Sequence, residues 1–199
     1  MSKHKFTLLD CFSGMGGVSD GFALEGFDVM GIDIVDAPKM LGYKHRFIHA
    51  DMLSLEGKDF KGFDVIWGSP PCRDFSVLTR IGKLYWKQSP DPNRGLILPS
   101  HFVAFACQAK PTFWIMENVP YLEAWLGMEP EQTLHLTPTM ERSFWGNYPH
   151  VKSQMELREP IKHLKGGKLR PWQRAKIPLA CSRAFAKACR EQLEIEVSV

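Results

Sequence analysis

The sequence predicts an α/β fold: a mostly parallel, doubly wound sheet with helices on both faces. Short apolar runs alternate with helix-like stretches, which is the pattern of βαβ units. The first apolar run ends in a glycine-rich turn, "SGMGG" (13–17). Polar or glycine-rich residues also close the later runs, at Asp33, Asp51, Pro70 to Cys72, and Glu117 to Asn118. In an open α/β sheet, ligand and catalytic loops gather outside the carboxyl ends of the strands.

The elements follow in order. "FTLLDCF" predicts a buried first strand, and "VSDGFALEGF" a short helix after the glycine turn. "DVMGIDI" is a second strand ending in Asp33, and "HRFIHAD" a shorter third ending in Asp51. "FDVIWGSP" is the fourth and "TFWIMENV" the fifth, with the helical "LILPSHFVAFACQAK" between them. From Gly127 to Thr139 the chain reads as loop, with several prolines, and "RSFWGNYPHV" as an antiparallel edge strand. "IPLACSRAFAKACREQLEI" predicts a final helix. Pro178 sits near its first turn, where a missing N–H costs nothing, and Leu179, Phe185 and Leu193 are roughly helically spaced.

A chain of 199 residues suits one domain with a proper core. With 44% apolar and 24% charged residues it has the composition of an ordinary globular protein, and a net charge of +3 does not announce a nucleic-acid binder. The distribution of charge says more. Arg73, Arg80, Lys83, Lys87 and Arg94 surround Tyr85 and Trp86, a mixture suited to phosphates and bases, and a second basic run spans Lys162 to Lys176. Five cysteines (Cys11, Cys72, Cys107, Cys181 and Cys189), without C-x-x-C or His/Cys metal spacing, fit a reducing cytoplasm and no metal. The N-terminus lacks the apolar stretch of a signal peptide, and no membrane partner is expected.

Cys72 stands in "SPPCRDFSVL", after two prolines and before polar residues, where the fourth strand ends. A structural cysteine normally packs inside an apolar run. The glycine turn is a weak signal taken alone: a G-x-G-x-x-G match would put its third glycine at Ser19, an imperfect fit to a nicotinamide loop. The turn suits an adenosine ligand equally well, with Asp33 accepting ribose hydroxyls and Asp51 the adenine amino group. Plainer roles stand beside these. Asp33 and Asp51 fit helix N-caps, and Glu117 fits a cap on the helix that follows it. Cys107 and Cys189 fit helix-face packing and Cys11 a strand. His101 and His135 fit surface or packing positions, and Trp114 and Trp125 the core.

"DCFSGMGG", "GSPPCRDFS" and "IMENV", in that order on successive strand ends, resemble the cytosine-5 DNA methyltransferase family, which carries F-x-G-x-G-G, P-P-C and E-N-V at comparable separations. The resemblance covers Leu8 to about Tyr121 well and Met140 to Cys189 loosely. It implies a Rossmann-like methyltransferase fold with S-adenosylmethionine as methyl donor, S-adenosylhomocysteine as product and double-stranded DNA as partner. Carbon 5 of cytosine is a poor nucleophile. A thiolate adding at carbon 6 breaks the ring's aromaticity and makes carbon 5 enamine-like, which is covalent catalysis. The target base must first be flipped from the stack, at a cost of a few kcal/mol.

Roles carry over by position. Cys72, Glu117 and Asn118 match the catalytic motifs, with Glu117 assisting at ring nitrogen 3, a kind of help worth about 10²–10⁴-fold. "ERSFWGNYP" is similar to the segment around the family's R-x-R motif, with Arg142 matching its second arginine and Met140 standing in place of the first. Phe12, Ser13, Gly14, Gly16, Gly17, Asp33, Ile34, Asp51, Met52 and Pro70 match the methyl-donor site. Arg73, Ser76, Arg80, Lys83, Arg94 and Arg170 are the nucleic-acid candidates, on the mobile loop that the resemblance implies after Cys72 and on the second basic run. Arg73 and Asp74 replace the family's usual Gln-Pro, and the asparagine of its last motif is not evident.

The expected organisation is a single catalytic domain over 1–199, with a vestigial recognition or basic segment at 140–176 and a returning helix at 177–195. Only about twenty residues, 150–170, stand where family members place a large target-recognition region. That implies relaxed recognition, or recognition through the 162–176 run, a homodimer or a separate specificity partner, and suits a phage or mobile-element enzyme. An RNA cytosine-5 methyltransferase stays open, since a tRNA-methylating relative shares P-P-C and is similar at "TRIG" (79–82). A non-catalytic module of the same fold stays open too, though intact Cys72 and Glu117 argue against it. A nicotinamide dehydrogenase is contradicted by P-P-C and by the glycine spacing.

Overall fold

The computed structural model describes residues 5–75, 91–137, 140–151 and 176–198. Seven strands form one sheet among them: β1 (Thr7–Cys11), β2 (Asp28–Asp33), β3 (Arg46–His49), β4 (Val65–Gly68), β5 (Phe113–Asn118), β6 (Gln132–Thr137) and β7 (Met140–Asn147). Their order is β3-β2-β1-β4-β5-β7-β6. The first five strands are parallel, and β7 runs antiparallel to both β5 and β6. The chain lays β2 and β3 on one side of β1, then crosses to put β4 on the other. The switch point therefore lies between β1 and β4, the crevice where such sheets bind ligands.

The central strands are continuous apolar runs because parallel strands are covered on both faces. One face carries α1 (Gly17–Leu24) and α6 (Leu179–Val197) over Leu8, Trp67 and Phe144, with Phe185 of α6 buried among them. The other face buries Leu9, Ile66 and Met116 beneath α4 (Ile97–Ala109), through Phe102 and Phe105. Short helices α2 (Ala37–Leu41), α3 (Pro92–Gly95) and α5 (Glu123–Leu126) join these parts. Gly21 sets how closely α1 approaches α6, since a Cβ there would lie 2.1 Å from Ser182 Oγ. Among the described residues, no helix is long and apolar enough to cross a membrane.

The structure departs from the sequence expectations at particular places. The stretch 127–139 is not all loop: β6 occupies Gln132–Thr137, with Leu134 and Leu136 buried and Thr133 and His135 exposed. Pro130 and Pro138 flank that alternation and disguise it, because proline is tolerated at strand ends. "RSFWGNYPHV" is antiparallel as expected but lies inside the sheet, and β6 is the edge. Residues 140–147 of the expected recognition segment are therefore part of the sheet, while 152–175 lie outside the described residues. Trp125 is 42% exposed rather than core, because α5 buries none of its residues. Cys107 is exposed, one position off the α4 face that buries Phe105 and Ala106.

Candidate active site

Three segments meet at the carboxyl end of the sheet, and pairing places them. Gly68, the last residue of β4, pairs with Cys11 on one side and Met116 on the other. The chain beyond it, Ser69 to Cys72, thus emerges beside Glu117 and Asn118. Antiparallel pairing of Glu117 with Phe144 and Asn118 with Ser143 brings Arg142 of β7 to the same end.

Asn118 is buried, with both ends of its amide hydrogen-bonded. Its Nδ2 donates to the Pro70 carbonyl at 3.0 Å, and its Oδ1 accepts from the Val119 N–H at 2.9 Å. The Pro70-Pro71-Cys72 loop is thereby tied to β5. On its far side the Cys72 carbonyl accepts from the Phe75 N–H at 3.1 Å, with the Phe75 ring buried as an anchor. Cys72 itself is half-buried. Glu117 is 6% exposed, and Arg142 Nε donates to its Oε1 at 2.7 Å. Arg142 also donates to the Glu141 carbonyl at 2.8 Å, which fixes the guanidinium plane.

The electrostatics follow from this burial. Burial pushes the Cys72 thiol above its ordinary range; the Glu117 charge adds to that, and the Arg142 charge opposes it. Burial likewise raises the Glu117 carboxyl, against the Arg142 charge and a hydrogen bond from the Ser69 hydroxyl. A carboxyl held high in this way keeps a proton available closer to neutrality than an exposed one. Cys181 of α6 also senses Glu117, but it is completely buried and its thiol is raised strongly by that burial. Of the two thiols beside Glu117, only Cys72 has access to a ligand.

The glycine turn lies on the other side of the switch point. Phe12 has φ 63°, and Gly14 and Gly16 have φ 47° and 75°, a left-handed path that glycine adopts without strain. Asp33 holds the turn: its Oδ2 accepts from the Gly14 N–H and its Oδ1 from the Val35 N–H, each at 2.9 Å. Ser13 Oγ is buried near the Tyr43 hydroxyl but makes no well-formed hydrogen bond. A polar atom in that state fits a ligand that supplies one. Asp51 is exposed and accepts from the Leu53 N–H at 3.0 Å, capping a 3-10 turn at Met52–Ser54, so its plainer role is realised. Met52 is buried in the core, and Ile34 is exposed beside Asp33. At Gly17 a Cβ would lie 2.8 Å from the Ile177 carbonyl, so this glycine admits the chain entering α6.

Several residues here escaped the sequence reading. Asp10, in β1, accepts at a single oxygen from the Ser19 N–H at 3.1 Å and the Ser19 hydroxyl at 2.5 Å, and Ser19 Oγ lies 2.8 Å from the Tyr43 hydroxyl. A lone aspartate inside an apolar strand was the signal for this network under the glycine turn. Trp67 and Ser69 also belong to the site, with Trp67 Nε1 donating to Ser69 Oγ at 2.9 Å.

Two of the nucleic-acid candidates, Arg73 and Arg94, fall among the described residues. Arg73 is exposed next to Cys72. Arg94 is held by Asp74, its Nη2 donating to Oδ1 at 2.8 Å, and that same oxygen accepts the Asp91 N–H at 3.1 Å. Ser76, Arg80, Lys83 and Arg170 lie outside the described residues. Among the described residues, no three His, Cys, Asp or Glu side chains are grouped to hold a metal ion.

Comparison with known proteins identifies relatives of the chain. The family model for C-5 cytosine-specific DNA methylases matches residues 6–127. The type II methyltransferase M1.HphI of Haemophilus parahaemolyticus is 31% identical over 127 residues, covering 58% of this chain and 33% of that protein. The DNA (cytosine-5-)-methyltransferase M.ApeKI of Aeropyrum pernix is 27% identical over 141 residues, covering 59% of this chain and 29% of that protein. The chain thus spans about a third of the length of these curated relatives. In fold it is similar to a crystal structure assigned as a DNA modification methyltransferase encoded within an E. coli prophage. The TM-score is 0.54 at 23% identity, over 79% of this chain and 52% of the other.

Proposed function

This chain belongs to the C-5 cytosine-specific DNA methylase family, and we propose that it methylates carbon 5 of a cytosine flipped out of double-stranded DNA, through a covalent adduct on Cys72. The observation that carries this reading is the convergence of Cys72, Glu117 and Arg142, from three separate segments, on one end of the sheet.

With its thiol proton lost to water, Cys72 bonds through Sγ to carbon 6 of the base as the carbon 5–carbon 6 double bond opens. Glu117 hands a proton to ring nitrogen 3 as the ring's electron pair moves, so the adduct carries no net charge on the ring and carbon 5 becomes enamine-like. The raised carboxyl of Glu117 suits it to hold that proton, and Arg142 stabilises the carboxylate that remains. Asn118 keeps the loop that bears the nucleophile in place. S-adenosylmethionine, when bound, supplies the methyl group and leaves as S-adenosylhomocysteine. Loss of the carbon 5 proton to a base then expels the Cys72 sulfur as thiolate, and Glu117 takes its proton back from ring nitrogen 3. Ser13 and Asp33, at the left-handed glycine turn, and Asp51, after β3, are the residues that would hold the donor; the orphaned Ser13 hydroxyl fits that role.

The reading is tested by transfer of a tritiated methyl group from S-adenosylmethionine to duplex DNA, with tRNA in parallel. DNA labelling is expected. Cys72→Ala should abolish it while S-adenosylmethionine binding, followed by calorimetry, persists. Undiminished transfer by Cys72→Ala sinks the covalent mechanism. Labelling of tRNA alone replaces DNA with RNA as substrate, and no labelling of either leaves a binding module.

A further inference from the structure

We propose that Ser69 is a positioning residue for Glu117: its hydroxyl, aimed by the indole of Trp67, donates to the Glu117 carboxyl group and together with Arg142 turns the position that carries the proton for ring nitrogen 3 toward the base.

The direction of each hydrogen bond follows from the groups involved. An indole N–H only donates, a carboxylate only accepts, and a hydroxyl has one proton to give. Trp67 Nε1 donates to Ser69 Oγ at 2.9 Å, so the serine oxygen is the acceptor there and its own proton is free for Glu117. The tryptophan cannot swing away. It is completely buried, with Phe22, Phe144 and Phe185 packed edge-on against it at ring-centroid distances of 6.2, 5.9 and 5.2 Å. The backbone is held as well, by the Ser69 N–H donating to the Cys11 carbonyl at 3.3 Å. Arg142 occupies Glu117 Oε1 from the β7 side, and Ser69 approaches from the β4 side. Two donors from opposite neighbours leave the carboxylate little freedom to rotate. Ser69 is also three residues before Cys72, so the same short segment carries the nucleophile and orients the acid.

The consequence for catalysis rests on the methyltransferase reading, but the test begins on the full chain without DNA or methyl donor. The Glu117 carboxyl is titrated by infrared spectroscopy with isotope-labelled glutamate, taken as the difference from Glu117→Gln. Losing one donor hydrogen bond should move the Ser69→Ala midpoint up by roughly half to one pH unit. Ser69→Thr, which keeps the hydroxyl, should restore it. Ser69→Ala also strips Trp67 of its acceptor, so thermal melts of both variants accompany the titration. In methyl transfer, Ser69→Ala should lower kcat by roughly ten-fold with KM for DNA unchanged, and shift the Glu117 limb of the pH profile upward. A Ser69→Ala midpoint equal to the parent's, or a Ser69→Thr midpoint equal to that of Ser69→Ala, overturns the proposal. Should the midpoints move as expected while the parent transfers no methyl group to DNA or tRNA, the positioning stands and the reading of function falls.

Discussion

Asn118 Nδ2 donates to the carbonyl of Pro70 at 3.0 Å, joining the end of β5 to the loop that presents Cys72. The amide is buried and its oxygen is occupied by the Val119 N–H, so the side chain bridges two loops and faces no solvent. Asn118→Ala leaves both partners unsatisfied and should cost about 1–3 kcal/mol of stability. Its effect on methyl transfer should exceed its effect on S-adenosylmethionine binding, because the loop it holds is on the nucleophile's side of the switch point. Urea unfolding and paired kinetic and calorimetric measurements check this. Equal losses in transfer and binding would mean that Asn118 supports the fold without positioning Cys72.

The two charges beside Cys72 act in opposite directions, and that sign difference is measurable. Glu117 raises the thiol, so Glu117→Gln should lower its pKa and speed alkylation at a fixed mildly alkaline pH. Arg142 lowers the thiol, so Arg142→Ala should raise its pKa and slow alkylation. The Cys72 peptide must be followed by mass spectrometry, because exposed Cys107 also reacts. Changes of the same sign in both variants would contradict the electrostatic account.

Asp10 links stability to pH. Burial raises its carboxyl from an ordinary 3.8 to about 7, in spite of the bonds from Ser19. The folded state therefore keeps a proton that the unfolded chain releases near pH 4. The stability from this group is complete below the unfolded value, is lost as pH rises through about 7, and is level above that. Urea unfolding should give a smaller difference between pH 5 and pH 8 for Asp10→Asn than for the parent. An unchanged difference would remove Asp10 as its source.

Much of the architecture was legible because the apolar runs of β1, β2, β4 and β5 are short, continuous and closed by polar residues, as buried parallel strands are. The antiparallel end was harder. β6 carries only two buried leucines between prolines, and nothing local tells that Met140–Asn147 is interior, since neighbours in a sheet are set by pairing across the chain. Cys72, Glu117, Asn118 and Arg142 were legible as motif residues. The pairing of Arg94 with Asp74, twenty positions away in the sequence, was not legible because it exists only in the fold. Trp67 and Ser69 were hidden for the same reason. Within "VIWGS" the tryptophan looks like core alone, and its N–H acquires meaning only with the serine oxygen at 2.9 Å.

On the methyl-donor side, Asp51→Ala should weaken S-adenosylmethionine binding by roughly ten-fold, the worth of one or two lost hydrogen bonds. The only local loss is a cap on the 3-10 turn at Met52–Ser54, which far-ultraviolet circular dichroism and melting should scarcely register. Asp33→Ala should weaken binding as well and also loosen the glycine turn, because the Gly14 and Val35 N–H groups both depend on it. A dissociation constant unchanged by Asp51→Ala would confine Asp51 to its capping role.

Attack of Cys72 on carbon 6 of a flipped cytosine is probed with duplex DNA containing 5-fluorocytosine, incubated with the protein and S-adenosylmethionine. Fluorine at carbon 5 leaves no proton to eliminate, so the methylated adduct cannot release the sulfur. A denaturation-resistant protein–DNA conjugate whose modified peptide contains Cys72 is expected, and no conjugate from Cys72→Ala. A conjugate through another residue, or methyl transfer to unmodified DNA with no conjugate on the fluorinated duplex, would contradict that attack.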